Sequence, residues 1–434
     1  MLSRKKVILL ISLCLFVSSC RGSGTTPKEG EPVQEIISSS SANEPQQPSD
    51  PSDQETNLNT ITAEEEDTEI TEEDPDISGI QENNPQDPCR ILSSTYNLLN
   101  GRFYFETKQK TDGKTVGIPT WYDPGTKEHG PVCRDPLCSH SPSSGCPCIT
   151  VNASTDFFLT DENTLWQVKT EGFGPCRIER VDLNDNSAHL VYSTSLGEPV
   201  FVCADGGILW FTDSGARIGG KTTKALIGIE IGTEETVSEI PLSDGAVPCL
   251  VRSGLLYGCE SGTLFVTDLA AGNRLAEETV GGLFESWCFD TEDGSFWIAV
   301  TDRNEQKGSV YVYEGEAFRK VPLPGEVFCF QLTEDEILYS PYDPVTFGGK
   351  AVDYSGGKIW RVNRDSPDGE PELLFETSEK EPLCTSLARW TILEGQLFYS
   401  KIGLSGGSFN LAGDMPMKCV DLSTCETEEI VFGQ

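Results

Sequence analysis

A short signature recurs seven times between residues 101 and 398, and it limits the possible folds more than any other feature of the chain. A turn or polar residue leads into an apolar residue and then an aromatic. The instances are Gly101-Arg102-Phe103-Tyr104, Asn163-Thr164-Leu165-Trp166, Gly207-Ile208-Leu209-Trp210 and Gly254-Leu255-Leu256-Tyr257, followed by Gly294-Ser295-Phe296-Trp297, Glu336-Ile337-Leu338-Tyr339 and Gly395-Gln396-Leu397-Phe398. Successive aromatics stand 40 to 62 residues apart. A unit of that size with several short strands cannot bury its apolar face alone. Stacked against neighbours in a ring, it becomes a propeller blade.

A second landmark follows six of the seven signature aromatics by 11 to 24 residues. A strand ends on an acidic or polar residue, turns, and gives way to another strand, as at Val181-Asp182-Leu183, Thr267-Asp268-Leu269 and Val420-Asp421-Leu422. Tyr122-Asp123-Pro124-Gly125, Tyr313-Glu314-Gly315 and Val362-Asn363 occupy equivalent places. Asp, Asn and Gly suit such turns because they bond to their own backbone or tolerate positive φ. The flanking strands alternate apolar and polar residues, as in Lys358-Ile359-Trp360-Arg361-Val362, which fits half-buried antiparallel sheets. No sustained helical period is present. The reading is an all-β protein: a β-propeller of seven blades, each of four antiparallel strands. The inner strand precedes the signature, and the acidic turn joins the outer pair. The first and last intervals are the longest, so six or eight blades remain open. An immunoglobulin-like array is the competitor, but its units run nearer 100 residues.

This region is expected to occupy residues 89–434. What precedes it has a different character. Arg4, Lys5 and Lys6 lead an apolar run from Val7 to Val17, followed by Ser18, Ser19 and Cys20. The run is too short to cross a bilayer core of roughly 30 Å. It reads as a signal peptide, residues 1–19. Small residues directly before a cysteine resemble a bacterial lipobox. That resemblance implies that Cys20 is the lipidation site and the mature N-terminus, held by acyl chains such as palmitate. The alternative is an ordinary secretory signal with an incidental cysteine. Residues 20–88 then form an acidic stalk with 18 acids against 2 bases from Arg21 to Pro88. So little apolar surface cannot offset the entropy of ordering, and runs such as Glu64-Glu65-Glu66-Asp67 repel themselves, so a disordered linker is expected.

The whole chain carries a formal charge of −37. Nucleic acid and anionic lipid surfaces need a basic face, so no nucleic-acid partner is expected. The membrane partner enters through Cys20 alone. The expected location is extracytoplasmic, at the cell surface, lipid-anchored to the bacterial membrane.

The cysteines supply the strongest chemical signal. Cys133, Cys138, His140 and Cys146 form a C-x4-C-x-H-x5-C segment, with Cys148 directly beyond. Three thiolates and an imidazole can close a tetrahedral zinc shell, and the short spacing keeps loop-closure cost low. Disulfides are the competing reading, because exported cysteines usually pair. Free thiols are a third. Cys203, Cys249, Cys288, Cys329 and Cys384 each precede a signature and are read mainly as small core residues on inner strands. Cys89, Cys419 and Cys425 lie near the two ends of the domain, where a disulfide from Cys89 to either of the others would close the ring.

In layout and in this segment, the chain resembles TolB-like or YWTD-like β-propeller lipoproteins of anaerobic Firmicutes, a group of unknown function. Such proteins carry a Tyr-Asp strand end followed by a segment of the form C-x-x-P-x-C-x-H-x(n)-C. Here Tyr122-Asp123, Cys133, Pro136, Cys138, His140 and Cys146 match it, and Cys148 is additional. The resemblance implies a family and no activity.

Other motifs carry little chemistry. Gly403-Leu404-Ser405-Gly406-Gly407 has the nucleophile-elbow spacing, yet no histidine follows His189. Asp182-Leu183-Asn184-Asp185-Asn186 begins like a calcium loop but lacks the glycine and glutamate that would complete it. It reads as a hairpin turn. Long polar connections at 108–117, 214–224, 342–357 and 402–417 are expected to gather on one face. There Phe347 and Tyr354 are candidates for stacking on a ligand, whereas Trp360 and Trp390 are better read as core. The functional expectation is a non-catalytic binding or interaction module for an extracellular glycan, peptide or envelope component. The alternative is a glycan lyase or hydrolase with a carboxylate site on the propeller face, a pairing that 51 acids in residues 89–434 make impossible to pick out by sequence.

Overall fold

The computed structural model describes residues 91–93, 98–151, 156–170, 175–302, 304–343, 345–347, 350–352, 354–355, 357–377, 383–385, 390–400, 403–405, 408–410 and 417–430. These residues contain strands and turns and no helix, so none of them forms an apolar helix long enough to cross a membrane. The expected signal peptide, Cys20, the expected acidic linker and Cys89 lie outside them.

The fold is a seven-bladed β-propeller. Blade 1 comprises Leu98–Leu99, Arg102–Thr111, Lys114–Tyr122 and His129–Pro131. Blade 2 comprises Phe157–Asp161, Thr164–Thr170, Cys176–Asp182 and Ser187–Thr194. Blade 3 runs Pro199–Asp205, Ile208–Ile218, Lys221–Glu230 and Thr236–Pro241, and blade 4 Ala246–Arg252, Leu255–Glu260, Thr263–Asp268 and Arg274–Thr279. Blade 5 has Leu283–Asp290, Phe296–Asp302, Lys307–Tyr313 and Phe318–Lys320. Blade 6 has Val327–Leu332, Glu336–Pro341, Lys358–Asn363 and Glu372–Glu376, and blade 7 Thr391–Leu393, Gln396–Ser400, Met417–Asp421 and Thr427–Ile430. Within each sheet, sequence order equals spatial order, and every neighbouring pair is antiparallel.

Each signature aromatic falls on the second strand of its blade, and the core lies between blades. Trp166 is fully buried with Phe211 and Ile227 of blade 3, and Trp297 packs with Phe330 and Tyr339 of blade 6. Tyr257 of blade 4 meets Phe296 of blade 5 with ring centroids 4.7 Å apart. The acidic landmarks are the turns between third and fourth strands. The Asp123 carboxylate accepts the Gly125 N–H at 3.0 Å, Asp182 accepts from Asn184 at 2.8 Å, Asp268 from Ala270 at 2.8 Å and Asp421 from Ser423 at 2.8 Å. A residue of positive φ completes several of these turns, Lys127 at 60° and Cys425 at 59° among them.

Alternation of strand direction gives the ring two faces. Turns between first and second strands, and between third and fourth, lie on one, the turn face. Connections between second and third strands lie on the other, the loop face. All four long connections singled out in the sequence join a second to a third strand, so the topology places them together on the loop face. The irregular intervals between aromatics also have a cause. Blade 1 carries an excursion at 132–149, and blade 6 carries the short pairs Val345–Phe347 with Lys350–Val352 and Tyr354–Ser355 with Cys384–Thr385.

Blade 1 and blade 7 are each built from one contiguous stretch, with no strand exchanged between them among the described residues. Their seam is closed by Phe103, Tyr122, Phe398, Cys419 and Ile430. Phe103 meets Phe398 edge to face at 4.7 Å. An exposed ion pair, Lys127 to Glu428 at 3.0 Å, also spans the seam, but solvent screens it and it adds little. One further strand, Ile91–Ser93, pairs on the inner edge of blade 5.

Candidate metal centre

The fourth strand of blade 1 is split. His129–Pro131 pairs with Thr120, Trp121 and Tyr122, while Thr150–Val151 pairs with Val116 and Gly117 of the same third strand. The two pieces therefore lie in line, and residues 132–149 leave the sheet between them. The base of this excursion is apolar: Val132, Cys133 and Cys148 are buried against Leu159, Leu165, Val181 and Leu183 of blade 2. Polar stitches then fix it to blade 2. The Arg134 guanidinium donates to Asn163 Oδ1 at 2.8 Å and to the Glu162 carbonyl at 2.6 Å. Gln167 donates to the Cys148 carbonyl at 2.8 Å, and Lys169 to the Pro147 carbonyl at 2.5 Å.

This scaffold brings the four predicted ligands together. One donor atom from each of Cys133, Cys138, His140 and Cys146 lies within 4.8 Å of the other three. Around zinc, with metal–sulfur near 2.3 Å and metal–nitrogen near 2.0 Å, neighbouring donors stand roughly 3.5–3.8 Å apart. Contraction by about 1 Å closes the shell. Cys148, the additional thiol, is hydrogen-bonded to Cys146 yet falls outside the quartet.

The local backbone serves thiolates. Each cysteine sulfur of the quartet accepts a backbone N–H from two residues further on: Asp135 to Cys133, His140 to Cys138 at 3.4 Å, and Cys148 to Cys146. Such donors favour the charged sulfur over the neutral thiol. His140 holds φ at 48°, a left-handed conformation that costs a non-glycine residue energy and persists only where the surroundings impose it. Its Nε2 is buried with no hydrogen-bond partner. A buried polar nitrogen left so is expensive, and coordination to a cation would satisfy it. Burial also pulls the His140 imidazole down from its usual range, which favours the neutral form that can ligate. The thiols respond in the opposite sense. Burial and the sulfurs nearby push Cys133 up to about 12, and the hydrogen bond to Cys148, with burial, raises Cys146. A divalent ion at the centre of the quartet reverses that balance by stabilising thiolate directly. The quartet is thus a Cys3His cluster able to hold a metal ion. It opens into a pocket of about 370 Å³ lined also by Asp135, Leu137 and Asn186.

The other sequence-derived residues are placed as follows. Cys203, Cys249, Cys288 and Cys329 stand on the inner strands of blades 3 to 6 and are buried in the inter-blade packing. Cys203, for example, accepts the Val251 N–H of blade 4 at 3.3 Å. Cys384 does not follow them. It lies in the connection between blades 6 and 7, paired with Ser355 and seven residues short of blade 7's inner strand. Cys419 is a buried free thiol at the seam, and Cys425 an exposed free thiol in a blade 7 turn. The proposed partner of both, Cys89, lies outside the described residues. Phe347 and Tyr354 stand on the short strands of the blade 6 loop-face connection. Trp390 is core: fully buried, it donates its indole N–H to Ser340 Oγ at 3.0 Å. Gly403–Ser405 is a strand in a small hairpin with Ser408–Asn410, so the elbow spacing has no helix to serve. Sequence reading missed the Arg134, Gln167 and Lys169 stitches, because nothing in their spacing links them to a loop of another blade.

No protein-family model matches the chain, and no curated protein matches it. Solved structures match in fold. The β-propeller domain of the trilobed protease from Pyrococcus furiosus, described as having an open velcro topology, aligns over 78% of this chain and 97% of its own at 9% identity and a TM-score of 0.47. An uncharacterised protein from Listeria monocytogenes aligns over 78% and 94% at 11% identity and 0.44. An oligogalacturonate lyase in complex with manganese aligns over 72% and 87% at 10% identity and 0.43. Likeness at this level concerns the propeller architecture alone.

Proposed function

We propose that the protein is a lipid-anchored, extracytoplasmic propeller that binds an envelope glycan, peptide or protein without transforming it, and that its Cys3His quartet holds a structural zinc ion. One observation supports the metal arm: four potential ligand atoms, one each from Cys133, Cys138, His140 and Cys146, lie within 4.8 Å of one another, the number that a closed tetrahedral shell needs. Catalytic zinc sites keep a position for water or substrate, whereas structural sites are closed. Cys133, Cys138, His140 and Cys146 would hold the ion, and its contribution would be to pin the 132–149 excursion onto blade 2. The acids buried among the described residues are likewise engaged in structure. Asp290 pairs with Arg364 at 2.6 Å, Asp213 accepts the Tyr192 hydroxyl at 2.7 Å, and Glu285 accepts the Thr301 hydroxyl at 2.7 Å.

The metal arm is tested by elemental analysis of residues 89–434 purified without oxygen or chelator. One zinc per chain is expected, lost in Cys138→Ala and His140→Ala. A metal-free protein in which Cys133, Cys138, Cys146 and the neighbouring Cys148 are blocked as disulfides would replace the clasp with a covalent staple. The binding arm is tested by incubating the same protein with isolated cell-wall material. Retention without release of soluble fragments supports a binding module, and sustained fragment release would favour the lyase or hydrolase reading.

A further inference from the structure

The strand Ile91–Ser93 pairs antiparallel with the inner strand of blade 5: Ile91 opposite Asp290, Leu92 opposite Phe289, Ser93 opposite Cys288. It is the edge strand of that sheet on the side of the central channel. The chain next becomes a described strand at Leu98, the inner strand of blade 1. Blades 5 and 1 lie three places apart around the ring. Five residue steps therefore connect the inner edges of two blades across the channel, a reach of at most roughly 17 Å.

The contact is built into the core. Ile91 is 7% exposed and packs with Cys288, Trp297, Phe330 and Leu332, at the junction of blades 5 and 6. Leu92 packs against the cluster shared by blades 3, 4 and 5. Ser93 shares a hydrogen bond with the buried Cys288 thiol, which also receives the Leu332 N–H of blade 6. Three residues thus engage both interfaces of blade 5. Meanwhile the seam between blades 7 and 1 has no exchanged strand among the described residues.

We propose that Ile91–Ser93 is an in-cis latch that closes the ring. By fixing the chain to blade 5 directly before it enters blade 1, the latch restrains blade 1 against swinging away from blade 7. It does from inside the channel what strand exchange does at the rim of other rings. Register also sets where the chain arrives: Ile91 faces Asp290, the last residue before blade 5's first turn, so the segment enters from the turn face.

Two variants of the full chain test this. The first is Ser93→Cys, which puts a thiol opposite Cys288. Mild treatment with oxidised glutathione should join residues 93 and 288, identified by peptide mapping. Absence of that disulfide in a folded protein overturns the pairing. The second is Ile91→Asp, which sets a carboxylate beside buried Asp290 and should release the latch. Alkylation of Cys288 should then accelerate at least tenfold. Amide exchange should rise together in Arg102–Thr111 of blade 1 and Met417–Asp421 of blade 7. Faster Cys288 alkylation with an unchanged seam overturns the latch, because the strand would then merely cover blade 5. Should Ile91→Asp not fold, the cross-linked Ser93→Cys protein decides the matter: seam exchange slower than in its reduced form supports the latch, and identical seam exchange overturns it.

Discussion

Arg364 offers the sharpest energetic test of how neighbouring blades are joined. It follows the third strand of blade 6 and reaches into blade 5. There its Nη1 meets Asp290 Oδ2 at 2.6 Å, and its Nη2 meets Asp293 Oδ2 at 3.0 Å. The Asp290 side chain is fully buried and that of Arg364 only 11% exposed, whereas Asp293 is half exposed. Asp290 also accepts the Glu292 N–H at 2.9 Å, so it caps the turn of blade 5 next to Ile91. Removing one partner of a buried pair strands the other as an uncompensated charge, at a cost of about 3–5 kcal/mol. Arg364→Ala should lose that much in urea unfolding at neutral pH. Asp290→Asn keeps a turn acceptor and removes the charge. In the Arg364→Ala background it should recover a large part of the loss, giving a coupling of about 2 kcal/mol or more in a double-mutant cycle. A loss under about 1 kcal/mol for Arg364→Ala, with no coupling to Asp290, would match an exposed pair and refute the reasoning.

Two further outcomes test particular close contacts. A Cβ on Gly308 would stand 1.9 Å from the Val327 carbonyl oxygen of blade 6, which is backbone and cannot rotate aside. Gly308→Ala should therefore cost about 2–3 kcal/mol of unfolding free energy, and a neutral effect would mean that blades 5 and 6 are more loosely apposed. Asp156 precedes blade 2 and accepts the Phe201 N–H of blade 3 at 2.7 Å, and burial raises its carboxyl to about 6. The folded state then binds a proton that the unfolded chain has already released between pH 4 and 6. Stability should fall by about 2 kcal/mol across that window, and the slope difference should vanish in Asp156→Asn. Equal slopes in variant and parent would show that the carboxylate is solvated.

The blade architecture was legible because each blade repeats the same physical problem. An aromatic on the second strand must be buried against the next blade, and an acidic residue must turn the outer hairpin, so both leave a periodic trace. The quartet was legible for a related reason: ligands close in sequence need little help from the fold to meet. Cys148 could not be separated from the other thiols by spacing, since Cys146 and Cys148 are nearly equivalent along the chain, and only placement sets Cys148 outside. Placement within the blade was hidden as well. The structure splits a strand of blade 1 around the cluster, and the two pieces, pairing with Tyr122 and Val116, are too short to carry a period. Cys384 was grouped with the inner-strand thiols although it lies farthest from its signature aromatic, Phe398, and its pairing with Ser355 in the connection between blades 6 and 7 accounts for that poor fit. The latch was invisible for the same reason as the split strand. Three residues, Ile91-Leu92-Ser93, show no pattern, and their partner lies almost two hundred positions away.

Two small devices bear on one weakness of this ring. A propeller whose blades are each drawn from a contiguous stretch has six junctions crossed by the chain and one that is not. Inter-blade packing is comparable in kind around the ring, with aromatic clusters at every junction, so the uncrossed seam differs in lacking a covalent link. An exposed ion pair cannot supply the difference. The chain instead adds restraint to the two sides of blade 1. The 132–149 excursion ties the outer edge of blade 1 to blade 2, and a metal in the Cys3His quartet would stiffen that tie. The strand Ile91–Ser93 ties the entry to blade 1's inner edge to blade 5. With both edges held, blade 1 can leave blade 7 only by breaking contacts elsewhere, so opening the seam becomes a cooperative event rather than a local one. The same arrangement gives the molecule a polarity. The chain enters on the turn face, and the long second-to-third-strand connections, Phe347 and Tyr354 among them, lie on the opposite face.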